Sequence, residues 1–203
     1  MEESRKETEN EGPKPDSEIQ GMCYYERARQ YMAMDNPLAA IKELTKAIGL
    51  APQDATYYSF RGIAFSQTGD YENALSDYTM AIYIDDEYLG AYNNRGLEYY
   101  RHGDFNKAIV DFSIAIAFEP GEAMFYSNRG LAYKENEHFG RALADFSSAI
   151  KLGPETAVTY RLRGDTFAEL GWEKQAVADF EKAMTLDPMD IQSYSHFCLL
   201  DCT

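Results

Sequence analysis

Three histidines, His102, His138 and His196, and three cysteines, Cys23, Cys198 and Cys202, are the residues here best suited to proton transfer, nucleophilic attack or metal ligation. Their spacing supports none of these. There is no His-Glu-x-x-His helix face, no Cys-x-x-Cys pair and no Gly-x-x-x-x-Gly-Lys phosphate loop. The cysteines are too few and too scattered for a disulfide framework or a zinc site. The run Asp85-Asp86-Glu87 lacks the alternating ligands and central glycine of a calcium loop, and reads as a solvated connection. The chain is therefore read as non-catalytic, with no metal and no cofactor.

The chemistry that does recur is ionic. Arg61, Arg95, Arg129 and Arg163 are each followed sixteen residues later by an aspartate: Asp77, Asp111, Asp145 and Asp179. Arg27 and Glu43 repeat the pair at the N-terminal end. Matched opposite charges at a fixed offset predict a ladder of ion pairs between packed helices, because partly buried charges need partners. The alternative is that each arginine lies along neighbouring aromatic rings with its head in water.

The arginines belong to a longer period. Gly62, Gly96, Gly130 and Gly164 follow them directly, 34 residues apart. A tyrosine stands four residues before each glycine (Tyr58, Tyr92, Tyr126, Tyr160), and an aromatic three after it (Phe65, Tyr99, Tyr133, Phe167). Further on come alanine, aromatic and alanine: Ala108, Phe112 and Ala115 in one unit, Ala142, Phe146 and Ala149 in the next. Tyr92, Gly96 and Tyr99 share one face of a helix, and Ala108, Phe112 and Ala115 one face of a second. Between the two helices lies a turn such as Thr68-Gly69-Asp70, with glycine suited to end the first and aspartate to cap the second. His102 and His138 fall in these turns.

Five units follow, at 21–54, 55–88, 89–122, 123–156 and 157–190, the first with Tyr24, Arg27, Ala28 and Leu44 at the matching positions. The helices are predicted near 21–34, 37–50, 55–68, 71–84, 89–102, 105–118, 123–136, 139–152, 157–170 and 173–186, with a single one near 191–199. A lone unit buries too little apolar surface to offset the entropy of ordering it, so neighbours must stack.

This pattern resembles the tetratricopeptide repeat, whose template sets a large aromatic, Leu-Gly and Tyr, then Ala, Phe, Ala and Pro, at fixed offsets. Arginine replaces the leucine here. The resemblance implies an all-α, right-handed α-solenoid of five tandem helix-turn-helix repeats with a C-terminal capping helix. It also implies that the first helices line a concave groove that holds a peptide or protein segment. Carried over position by position, the groove residues are Phe60, Ile63, Asn93, Asn94, Leu97, Tyr100, Arg101, Asn128, Leu131, Lys134 and Arg161, with Asp165 and Glu169 beside them. Asn94 and Asn128 occupy the same position of successive repeats, and their amides suit an extended backbone. Ile63, Leu97 and Leu131 form an apolar stripe, of the groove or of the seam between first helices. The family's chaperone-tail clamp sets two lysines, an arginine and a second asparagine around its central asparagine; about Asn94 this chain offers Ser59, Ile63, Met124 and Asn128, and about Asn128 it offers Asn93, Leu97, Val158 and Leu162, so that ligand is not expected.

Composition bounds the partner. Among 203 residues, 34 are acidic and 19 basic, a net charge of −15. That opposes binding to nucleic acid or to an anionic membrane. No apolar run reaches membrane-spanning length. The opening segment has no apolar core of a secretory leader, and the cytoplasm is the expected location. Residues 1–20, with seven acids and three bases, read as a disordered acidic tail. Residues 191–203 begin a sixth unit: Tyr194 is expected to dock with Cys198 around Ala176, Phe180 and Ala183. Phe197, Leu199 and Leu200 would then be partly bare, and the alternative function is a structural subunit of a larger assembly, or a self-associating array, that uses this helix.

Overall fold

The computed structural model describes residues 15–154 and 156–201. Among them are eleven α-helices and no strand. The chain divides into two compact units, residues 1–88 and 89–203. The first holds α1 (Pro15–Ala33), α2 (Pro37–Leu50), α3 (Ala55–Gln67) and α4 (Tyr71–Ile84). The second holds α5 (Leu89–Arg101), α6 (Phe105–Phe118), α7 (Ala123–Glu135), α8 (Phe139–Leu152), α9 (Ala157–Glu169), α10 (Glu173–Leu186) and α11 (Ile191–Asp201). In each unit consecutive helices pair into antiparallel hairpins, and consecutive hairpins stack. The fold class is an α-solenoid of tandem repeats.

The helix ends from α2 to α10 fall within one residue of the sequence prediction. The N-terminal end departs from it. The tail expected to run to residue 20 is helical from Pro15, since proline is tolerated in a first turn, where its missing N–H is no loss. Residues 1–14 lie outside the described part of the chain.

Inside every hairpin the same backbone device reverses the chain. Asp35, Gly69, Gly103, Glu137 and Gly171, each 34 residues from the last, all have left-handed φ values between +54° and +80°. The next residue then donates its N–H to a carbonyl five back, as in Asp70 N–H to Phe65 O at 2.9 Å and Asp104 N–H to Tyr99 O at 2.8 Å. This closes the first helix. Asn36 and Asp70 go on to cap the second helix, accepting from the N–H groups of Ala39 and Asn73.

The glycine before the first helix's end is a contact residue. A Cβ placed on Gly62, Gly96, Gly130 or Gly164 would lie 2.7–2.8 Å from the ring of Tyr78, Phe112, Phe146 or Phe180. These rings are essentially inaccessible and flanked by the buried alanines of the same helix. Ala28 and Leu44 make the equivalent contact smaller in the first hairpin, where both are fully buried.

Above each ring lies the ion pair. Arg61, Arg95, Arg129 and Arg163 each give two hydrogen bonds of 2.7–2.9 Å to Asp77, Asp111, Asp145 and Asp179. Arg27 and Glu43 complete the set at 3.1 Å. These hydrogen bonds raise the four paired guanidinium groups above their ordinary pKa against the opposing effect of burial. The aromatic reading holds at the same time: each guanidinium also sits within 6 Å of the tyrosine ring one turn before it. A third bond joins hairpins. Arg61 donates to Thr45 Oγ1, Arg129 to Ser113 Oγ and Arg163 to Ser147 Oγ, each on the second helix of the preceding hairpin, at 3.0–3.2 Å.

Two outcomes follow. Gly96→Leu overpacks the Phe112 contact and lowers unfolding stability by roughly 1–3 kcal/mol or more, read from urea melts of the full chain. Asp111→Ala strands a half-buried guanidinium and costs about 3 kcal/mol. Pairing it with Arg95→Met recovers a large part of that loss, so the double-mutant cycle returns a positive coupling.

Candidate functional site

The inner face is best defined in the second unit, where α5, α7, α9 and α11 are the first helices of successive hairpins. Polar side chains tie each to the next. Asn128 on α7 donates its amide to Asn93 Oδ1 on α5 at 2.8 Å. Lys134 on α7 meets Glu169 on α9 at 2.7 Å. Asp165 on α9 meets His196 Nδ1 on α11 at 2.6 Å. A chain of contacts thus runs across the face at one bond per step.

This arrangement differs from the expected asparagine pair. Asn128 bonds to Asn93, which is buried, rather than aligning its amide with Asn94. Asn94 is half-buried and its amide engages no other described side chain. Leu97 and Tyr100 pack against the cluster of Ala108, Phe112 and Ala132, so the apolar stripe is partly seam. Leu131 is half-buried. Arg101 is exposed at the end of α5 and bound to the buried Glu98. Burial lowers the Lys134 pKa, but its bond to Glu169 and the surrounding carboxylates outweigh that and leave it raised. Desolvation raises Tyr100.

In the first unit, Phe60 and Ile63 lie half-buried on α3. Phe60 packs edge-on against Tyr25, ring centroids 5.2 Å apart, and joins the core of α1, α2 and α3. It is held as a seam residue.

The inner face ends in a cluster only part of which the sequence suggested. Arg161 lies 3.4 Å from Asp190 and 3.8 Å from Asp165. Asp190 caps α11, accepting from the N–H groups of Gln192 and Ser193 and from Ser193 Oγ at 2.6 Å. Burial works to raise its carboxyl, but the Ser193 bonds and Arg161 hold it below the usual carboxylate range. Ser193 is fully buried, and His196 stands edge-on to Phe180 at 5.7 Å. The Asp-x-x-Ser spacing of a helix cap was the readable signal. His196 also occupies the repeat position of Asn94 and Asn128.

The docking expected of Tyr194 is corrected here. Its ring is 45% exposed. In a complete repeat the tyrosine at this position faces the second helix of its own hairpin, as Lys182 over Tyr160 shows, not the helix before it. His196 makes the contact with the preceding hairpin instead, to Asp165 and Phe180. Phe197 is half-buried, and the side chains of Cys198, Leu199 and Leu200 lie outside the described residues.

A sequence model described as tetratricopeptide repeat matches residues 25–88, and a second of the same description matches residues 158–189. The chain belongs to the tetratricopeptide repeat family. Its architecture is in general that of a protein–protein interaction scaffold. Solved structures of similar fold include MamA from residue 41 to its end from Desulfovibrio magneticus RS-1, at TM-score 0.77 and 20% identity, covering 84% of this chain and 97% of that one. TTC0263, a thermophilic tetratricopeptide protein of Thermus thermophilus, aligns at TM-score 0.69 and 20% identity, over 90% of this chain and 100% of its own. YrrB, described as having an unusual peptide-binding site, aligns at TM-score 0.72 and 17% identity, over 87% and 91%. No curated protein matches the sequence. No described helix is long and apolar enough to cross a membrane, and the described residues contain no cluster suited to a metal ion.

The cap predicts a pH response. A carboxyl whose pKa is lowered by folding stabilises above its unfolded value and ceases to as pH falls through its folded one. Acidification below the ordinary aspartate range therefore loosens α11. Asp190→Ala does the same at neutral pH, at a cost of about 0.5–2 kcal/mol. Amide hydrogen exchange across residues 191–197 reads both, and unchanged protection in the variant would show that the cap does not hold the helix.

Proposed function

We propose that this chain is a non-catalytic interaction module of the cytoplasm, in which the repeats between residues 21 and 190 hold a peptide or protein segment on their inner face and residues 191–203 close the array. The observation that carries this reading is the unengaged Asn94 amide beside the half-buried apolar side chains of Leu97, Tyr100 and Leu131. An amide supplies a donor and an acceptor to a main chain, and the apolar neighbours supply the area that such a contact needs. Asn128 keeps its carbonyl and one N–H after bonding to Asn93, so it can serve the same segment. In the first unit, Ile63 is a half-buried apolar residue at the matching repeat position of α3. Arg101, Lys134 and Arg161 contribute through the aliphatic parts of their side chains, since their charges are engaged.

Self-association through α11 is the second reading, favoured by the half-exposed ring of Tyr194. The net charge of −15 works against it.

The test is selection of peptides from a displayed random library on the immobilised full chain. Selected peptides should lose at least tenfold in affinity on Asn94→Ala with Leu131→Ser, and nothing on Lys174→Ala, which lies on the far side of the array. Binding that survives the inner-face variant would overturn the reading, provided that its melting temperature matches the parent's.

A further inference from the structure

The second unit carries a second apolar surface, along the edge that joins its hairpins. Each hairpin has two edges: one holds the turn inside the hairpin, the other the loop to the next. On the latter edge four large apolar residues at element ends are exposed. Phe118 ends α6, Leu152 ends α8 and Leu186 ends α10, each 34 residues apart. Ile191 opens α11. Their exposures run from 37% to 77%. The repeat sets one such residue on each successive hairpin layer. Met124 and Val158, in the first turns of α7 and α9, border the row from the inner face. The loop after α8 is pressed onto the first turn of α7, so that a Cβ on Gly153 would stand 2.7 Å from that of Ala123.

More than a third of each residue is left in water, and a row of exposed apolar surface of this kind marks a contact surface. The charges around the row set the sign of its occupant. Glu119 and Asp187 are exposed on the edge, and Glu122 is half-exposed. Lys151 stands on the same edge, and Arg161 and Lys182 lie one turn inside it, the first against Asp190 and the second over Tyr160. Glu119 has no partner in the described part of the chain. Glu122 and Asp187 spend one oxygen each on a backbone N–H, of Met124 and Met189. A second copy of the chain would bring like charge to this edge.

We propose that this edge docks an amphipathic helix of a partner protein, with an apolar face flanked by lysine or arginine. Neighbouring helices pack about 8–10 Å apart, so a row crossing four successive hairpin layers runs roughly 25–30 Å. A helix of about 16–20 residues, at 1.5 Å per residue, matches that length.

The experiment uses the full chain and two fluorescent 18-residue model helices, one of leucine and lysine, the other with glutamate for each lysine. Fluorescence anisotropy should show the lysine helix binding at least tenfold more tightly at low salt. Phe118→Ser with Leu152→Ser should then weaken it at least tenfold, while Leu131→Ser on the inner face changes it less than twofold. Both edge residues are exposed, so a matching melting temperature is expected. Glu119→Gln with Asp187→Asn keeps the loop's hydrogen bonds and should weaken binding several-fold, through charge alone. Equal binding of both helices, binding indifferent to the edge variants, or binding lost on Leu131→Ser would each overturn the proposal. So would edge-dependent self-association in sedimentation that excludes the lysine helix. Loss of inner-face peptide binding with the edge intact would touch only the function proposed above.

Discussion

The closest constraint in this molecule is the absence of a side chain where an aromatic ring meets a helix backbone. At Gly62, Gly96, Gly130 and Gly164 the ring of the second helix occupies the space of a missing Cβ. The helices are only 13 or 14 residues long from α2 to α10, a length at which an isolated helix is marginal in water. Packing must therefore hold them, and the depth of that packing is set where backbone and ring touch. The flanking alanines follow from the same requirement, since a larger residue beside the ring would push the helices apart. The left-handed turn residue is its complement: the chain has to reverse tightly enough to bring the second helix back at that distance.

The arginine ladder depends on this approach. Only at such a spacing does a guanidinium on the first helix meet an aspartate sixteen residues on with two bonds under 3 Å. Its remaining N–H group faces the preceding hairpin and finds a hydroxyl at Thr45, Ser113 or Ser147. One residue type thus couples a helix to its own partner by a charge-assisted pair and to the preceding hairpin by a weaker bond. The pattern stops at the last hairpin. Glu181 stands where the earlier second helices carry the hydroxyl, and Phe197 where the earlier first helices carry arginine. α11 is instead held by its aspartate cap, by the bond between Asp165 and His196, and by His196 edge-on to Phe180 of α10.

What was legible in the sequence is what a repeat states five times. Helix ends, the glycine contacts and the pairing of Arg95 with Asp111 are local to one hairpin, and each copy confirms the others. Relations between hairpins were less legible. Asn94 and Asn128 hold equivalent positions, yet Asn128 bonds to Asn93, because the rotation from one hairpin to the next shifts side chains sideways by about one position. No period in the sequence encodes that rotation. The packing of Phe60 against Tyr25 was hidden for the same reason. Tyr194 was misplaced because its ring serves a helix of its own hairpin, and the repeat pattern alone does not say which neighbour a residue faces. The start of α1 at Pro15 was masked by composition, since charged residues describe an exposed helix as well as a tail.

The two surfaces of the second unit differ in what they ask of a ligand. Among the described inner-face residues the cations already lie against carboxylates of the chain: Arg101 against Glu98 and Lys134 against Glu169, with Arg161 more loosely placed 3.4 Å from Asp190 and 3.8 Å from Asp165. A ligand carboxylate arriving there must displace a carboxylate of the chain, and the exchange of one ion pair for another yields little net energy. Selectivity on that face has to come from amides and apolar fit. On the loop edge the reverse holds. Glu119 has no partner to give up, so a cationic residue gains an ion pair without breaking one, beside apolar side chains that are still in water. The chain's large negative charge then acts differently on the two: it speeds the approach of a basic partner to either, but only the edge converts that approach into a retained contact.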